Sequence, residues 1–372
     1  MTAIYLAGGE VETLTRALLD NGVKNILYSF YYIHQMKKER FIARMQAAYP
    51  DVSWFLDSGA FTYAVFSKAD PGRLMPVHEY KRLYFNYIDE FGFPYDRITE
   101  LDIEFELPVC TMELIDGWRE EMLTRWPDLN ITPVWHSWRT WERWTHYCRD
   151  KRIKTLAIGR SSGDAGMHRR LLMEARRWGK PVHGFAMTRI NSELKLVPMD
   201  SVDSTSWVMG QKYGTTYIFR ANKFIVLAKD NGGKAKRRLY KGYYKAIGCD
   251  PDLIMADDVA EVRKSNIIAW RNLSARFEEM RKRMGQSIHE GWPVGFVPGD
   301  PVPEAREREK TEGIVSATFG KPGQVSTVNS WRERNVERIQ HPKERPLTSD
   351  EPSRAPLPRE PEDDRPGPLE RD

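Results

Sequence analysis

Cysteine is scarce in this chain: three in 372 residues, at Cys110, Cys148 and Cys249. Residues that far apart form neither a disulfide framework nor a Cys-x-x-Cys zinc site, and the scarcity fits a reducing, cytoplasmic setting. No apolar run approaches the roughly 20 residues that would span a membrane. The opening "MTAIYLAGGEVETL" lacks the basic start of a signal peptide. A Gly-x-Gly-x-x-Gly fingerprint is missing after the first strand-like run, where "AGGEVE" stands instead. Proline is sparse over the first 285 residues, because 13 of the 23 fall in 286–372, in stretches such as "PVPEAREREKTEG". That segment carries a net charge of −4 while the remainder carries +9. Such composition cannot bury enough apolar area to offset chain entropy, so 286–372 reads as a disordered tail, with "NSWRERNVERIQ" as one short helical stretch. The basic remainder leaves room for a polyanionic partner.

What the first 210 residues do contain is alternation. Eight strand-like runs end in polar residues or glycine: "AIYLAG", "NILYSFYY", "SWFLDSG", "RITELDIE", "NITPVWH", "TLAIGR", "VHGFAMT" and "SVDSTSWV". Apolar residues recur at helical spacing between them: Val11, Leu14 and Leu18; Phe41, Met45 and Tyr49; Val77, Tyr80, Tyr84 and Tyr87; Ile115, Trp118 and Met122; Trp141, Trp144 and Cys148. Buried parallel strands need helical crossovers, and eight such units can close into a barrel. The expected fold is therefore α/β, a (β/α)8 TIM-like barrel over residues 1–210, with a doubly wound open sheet as the rival. Residues 211–285 read as a hairpin around Arg220 to Lys223, a basic loop, and a long helix from about Asp257 to Met284 packed on the barrel. The run "WHSWRTWERW" has a period of three and reads as one packed helix face.

Barrel enzymes place their chemistry at the C-terminal ends of the strands. Those ends carry Asp57 and Ser58 (third), Asp102 and Glu104 (fourth), His136 (fifth), Gly159 and Arg160 (sixth), Thr188 (seventh) and Asp203 (eighth). Carboxylates gathered at one mouth repel one another, so at least one should hold its proton unusually tightly. Two differently tuned carboxylates can divide acid/base and nucleophile roles at a sugar carbon. An Asp at a strand end can instead cap the next helix. The basic stretch Lys229, Lys234, Lys236, Arg237, Arg238, Lys241 and Lys245, interleaved with Tyr240, Tyr243 and Tyr244, could hold phosphates and stack bases, or be a solvated loop.

"DSGAF" at the third strand's end resembles the Asp-Ser-Gly-Gly-Phe-Gln signature of the tRNA-guanine transglycosylase superfamily. Those barrel enzymes exchange guanine for a 7-deazaguanine. "ELDIE", "AIGRSSGD" and "SVDSTSW" fall in the order of three further segments of that family, over about residues 50–215. The resemblance implies Asp57 as general acid/base and Asp203 as covalent nucleophile. It implies Asp102, Ser58, His136 and Gly159 as contacts to the base. His136 stands where the family usually has Gln, Ala60 replaces the second Gly, Thr62 replaces the Gln of the signature, and Ser206 replaces a second Asp. The zinc-binding Cys-x-Cys-x-x-Cys…His of the bacterial tRNA enzymes is missing. The compact form looks most like the phage-encoded branch that modifies DNA and so shields it from restriction, which would place the chain in a host cytoplasm. The implied partners are DNA, or tRNA, and a base such as preQ0 or preQ1, without metal, ATP or nicotinamide. A glycosidic-bond hydrolase and a non-catalytic nucleic-acid-binding barrel are the other readings.

Overall fold

A computed structural model describes residues 3–69, 75–103, 111–159, 165–188, 199–208, 210, 213–221, 223–228 and 232–285. The tail 286–372 expected to be disordered lies outside these, as do Glu104, Cys110, Arg160 and Lys229. All the described residues belong to one compact unit, Met1–Arg306, which joins the expected barrel and the 211–285 segment.

Nine short parallel strands pair in a single sheet. They are β1 (Ala3–Ala7), β2 (Asn25–Ser29), β3 (Ser53–Asp57), β4 (Arg97–Thr99), β5 (Ile131–Thr132), β6 (Val134–Trp135), β7 (Leu156–Ile158), β8 (Val182–Gly184) and β9 (Ser201–Ser204). Their order, β5-β4-β3-β2-β1-β9-β8-β7-β6, begins and ends on segments one residue apart. Residue 133 is proline, which has no N–H to give to a ladder. The fifth stave therefore splits: β5 pairs with β4 and β6 pairs with β7. Counted as one stave, β5 and β6 close an eight-stave (β/α)8 barrel, and all eight runs read from the sequence are its staves. The Glu100 carboxylate takes up the Val134 amide at 2.9 Å just past the break.

Two cores follow from the period of two along each strand. Outward residues such as Ile4, Leu6, Ile26, Trp54 and Leu56 meet the helices, whereas Tyr5, Ala7, Leu27 and Phe55 fill the barrel. Asp57 follows Phe55 at an interval of two, so it shares the inner face; Ser201 and Asp203 do so in β9. At the base of the interior Arg97 lies over the rings of Tyr5 and Phe55 and donates to Ser201 Oγ at 2.6 Å.

The five expected helices are present at Glu12–Asp20, Glu39–Ala48, Val77–Phe91, Met112–Arg125 and Trp141–Arg149. The sequence reading missed Phe30–Gln35, whose first residues it ran into the second strand, and also Ala60–Ala69 and Ala165–Arg177. The tryptophan run is not one helix face: Trp135 lies in β6, Trp138 in the following turn, and only Trp141 and Trp144 in a helix. The hairpin expected around Arg220 to Lys223 is the antiparallel pair β10 (Thr216–Arg220) and β11 (Lys223–Leu227). The long helix spans Val259–Gly285. Asp258 caps it through the Glu261 amide at 2.9 Å. Its Ile267, Trp270, Leu273 and Phe277 join the outer core; burying each such side chain contributes about 1.5–3 kcal/mol. Asn266 binds the Trp207 and Thr215 carbonyls, and Ser274 accepts the Ile4 amide near the start of β1. The helix thus runs from the mouth end of the barrel to its base, and the hairpin and short helices before it stand at the mouth end. Among the described residues no helix is long and apolar enough to cross a membrane.

Candidate active site

Asp57 leaves β3 on the inner face, and the chain must turn at once to begin the Ala60–Ala69 helix. Gly59 makes that turn at φ +72°, and a Cβ there would lie 2.6 Å from Tyr31 Cβ and 2.8 Å from the Tyr31 backbone nitrogen. No other residue fits both conditions. The Gly59 amide donates to Asp57 Oδ2 at 3.1 Å, so Asp57 does cap the helix entry. Capping occupies one oxygen; among the described residues no hydrogen bond reaches the other. Burial, then the negative charges of Asp102 and Asp203, push the Asp57 carboxyl up to about 8. Desolvation and like charge both favour the neutral acid.

Asp102 follows β4 and belongs to a linked set. Its Oδ2 meets His136 Nε2 at 2.8 Å, and its Oδ1 accepts from Ser58 Oγ at 3.3 Å. Ser58 is fully buried, held by its amide to Thr99 Oγ1 at 2.7 Å and by its carbonyl to Tyr80 Oη at 2.7 Å. His136 is stacked face to face on Trp138, with centroids 4.5 Å apart and planes within 2°. A Cβ on Gly159 would sit 2.4 Å from the His136 ring. Gly159 is thus the space that the imidazole needs. Gly159→Ala should push His136 off Asp102 with the fold intact; a shift of the His136 imidazole resonances in NMR and an unchanged far-UV circular dichroism spectrum check the two halves.

Asp203 is held from the other side. Its Oδ1 accepts the Ala186 amide at 2.7 Å and lies 3.4 Å from His183 Nε2. His183 Nδ1 meets Ser201 Oγ at 2.9 Å. Because Arg97 donates to that same oxygen, the Ser201 hydroxyl hydrogen is free to go to Nδ1, which leaves Nε2–H to donate to Asp203. Burial lowers the His183 pKa and keeps the ring neutral. The chain Arg97–Ser201–His183 orients Asp203, and no hydrogen bond among the described residues reaches Asp203 Oδ2.

A fourth acid was missed in the sequence. Glu10 follows β1, is 4% exposed, and accepts the Ser29 amide at 2.9 Å. "AGGEVE" was weighed only as a phosphate loop, and a single Glu in it carried no other signal. Phe61 was also passed over; it is 57% exposed one turn beyond Asp57. Among the described residues no hydrogen bond reaches Thr188, so no role attaches to it. A cavity of about 510 Å³ lined by Phe30, His34, Arg40, Tyr87 and Phe91 lies off the mouth and contains none of the four acids.

The basic set separates on inspection. Arg237 is not a phosphate contact: it is fully buried, and its guanidinium binds the Ile254 and Gly214 carbonyls at 3.0 and 2.6 Å and Asp257 at 2.5 Å. It secures the module before the long helix. Lys234 pairs with Asp257 and Lys241 with Asp252. Lys236, Arg238 and Lys245 are exposed. Among the described residues no group of three or more His, Cys, Asp or Glu side chains is arranged to hold a metal ion.

No family model and no curated protein matches this chain. Among solved structures, a protein from Aquifex aeolicus VF5 aligns over 73% of this chain and 92% of its own, with 10% identity and a TM-score of 0.39. KGPDC from Streptococcus mutans aligns over 56% and 89%, with 12% identity and a TM-score of 0.33. The carboxyl transferase domain of Rhizobium etli pyruvate carboxylase aligns over 78% and 54%, with 11% identity and a TM-score of 0.28. Likeness at this level carries no activity across; the barrel assignment rests on the strand pairing itself.

Proposed function

We propose that this chain is a base-exchange transglycosylase that replaces guanine in DNA with a 7-deazaguanine. The observation that carries the reading is the pair Asp57 and Asp203, 146 positions apart, facing one mouth: the Asp57 carboxyl is pushed up to about 8 by burial and by its acidic neighbours, and Asp203 is held by one oxygen through the Ala186 amide and His183. Asp203 offers a free, oriented oxygen to C1′ of a flipped-out nucleotide. The C1′–N9 bond breaks as the Asp203–C1′ bond forms, and protonated Asp57 gives its proton to the leaving guanine. The incoming deazaguanine returns a proton to Asp57, its ring nitrogen attacks C1′, and the Asp203 carboxylate leaves. The nucleic-acid backbone stays intact. Asp102, with Ser58 and His136, would read the donor edge of the purine, Gly159 leaves the His136 imidazole the room to stand there, and Lys236, Arg238 and Lys245 are the exposed cations that would meet phosphates.

The test supplies DNA and tRNA together with labelled guanine and a 7-deazaguanine, followed by nucleoside mass spectrometry. Label in DNA supports the reading, and label in tRNA alone moves it to tRNA. Free base without incorporation means a hydrolase, and binding without either means a non-catalytic barrel. Exchange should also fall about tenfold per pH unit above roughly pH 8, where Asp57 loses its proton. An unchanged rate at pH 9.5 removes Asp57 from the acid role.

A further inference from the structure

Around the ring of staves, Asp203, Glu10, Asp57, Asp102 and His136 follow in that order on the eighth, first, third, fourth and fifth. Asp102 and His136 occupy one arc. Glu10 occupies the opposite one, between the two acids assigned to the bond exchange, and its backbone anchor Ser29 is in register with Asp57. A base lying against Asp102 and His136, with C1′ between Asp57 and Asp203, directs its pentose and phosphate towards Glu10.

We propose that Glu10 is the sugar-side contact of this mouth, giving a hydrogen bond to a pentose or phosphate oxygen of the nucleotide; the inference rests on the transglycosylase reading. Two features single Glu10 out from an ordinary buried acid. Its one hydrogen bond to another of the described residues is from the Ser29 amide, and no cation among them pairs with it. Asp57 senses its charge across the neighbouring stave, where Ser29 is the register partner of Asp57. The titratable groups facing it are Tyr28 of β2, Tyr32 of the following helix and Asp57 of β3. None of them is cationic, and burial pushes Glu10 up to about 7. Below that pH it is a neutral donor suited to the acceptor oxygens of a phosphodiester or furanose. Above it, the anion repels them.

The experiment measures Kd for a single-stranded guanine-containing oligodeoxynucleotide from pH 6 to 8.5, and KM and kcat for exchange alongside. Wild type should bind about tenfold more weakly at pH 8.5 than at pH 6. Glu10→Gln keeps a donor and the Ser29 contact but cannot ionise, so its Kd should stay flat between pH 6 and 7.5, where wild type already weakens, and change only as Asp57 loses its proton near 8. Glu10→Ala should raise Kd about tenfold at pH 6 with kcat within threefold of wild type. A Glu10→Gln profile that follows wild type, or an unchanged Kd in Glu10→Ala, overturns the assignment of Glu10 and leaves the exchange reading standing. Wild type that neither binds nor exchanges overturns both.

Discussion

Asp203→Asn should abolish incorporation of labelled base, a loss of at least about a thousandfold, because an amide oxygen cannot form the covalent sugar intermediate. The fold should survive. Asn keeps an oxygen at Oδ1 to accept the Ala186 amide and the His183 Nε2–H, the two bonds that hold the aspartate now. The variant should therefore elute as wild type on gel filtration and bind the oligonucleotide within a few-fold. A denaturing gel of acid-quenched reactions should show a protein–nucleic-acid adduct with wild type and none with the variant. Retained exchange would falsify the nucleophile assignment outright.

Glu100→Ala should destabilise the barrel by about 3–5 kcal/mol, since it removes the carboxylate shared by two buried guanidinium groups and leaves Arg119 with the half-buried Asp116 as its counter-charge. Glu100 lies between Arg119 and Arg139 at 2.9 and 2.8 Å, all three buried, while Tyr147 Oη accepts from both arginines. It also satisfies the amide exposed by the break at Pro133. Burial alone would raise this carboxyl, but Arg139, Arg119 and the Val134 amide outweigh it and hold it near 2. A depressed acid contributes stability above its unfolded pKa of about 4.5. That contribution is lost as pH falls towards 2. Urea midpoints of wild type and variant should therefore differ most near pH 7 and converge as pH approaches 2. A constant gap between pH 7 and 2.5 would show that the cluster is not what Glu100 supplies.

The staves were legible because a buried parallel strand is a short apolar run that ends where it meets solvent, and the runs close on polar residues or glycine, except "SVDSTSWV", whose strand stops at Ser204 ahead of its final Trp207 and Val208. Asp57 and Asp203 stood out for the same reason. The helix Ala60–Ala69 was not legible because it is apolar on most sides and shows no stripe, whereas Ala165–Arg177 does carry one, at Leu171, Leu172 and Ala175, between arginines that drew no notice. Arg237 read as one more cation in a basic stretch, since burial of a guanidinium depends on carbonyls 20 or so residues away that no local pattern announces.

Local order along the chain decided how many strands there are, where each ends, and which carboxylates stand at those ends, because alternation and strand termination are properties of neighbouring residues. Closure of the ring across Pro133, the sharing of one mouth by Asp57, Asp102, Asp203 and Glu10, and the division of the basic residues into braces and free cations arise only in three dimensions. Each depends on the distance between groups remote in sequence, and it is that distance which sets how strongly one charge is felt by the next.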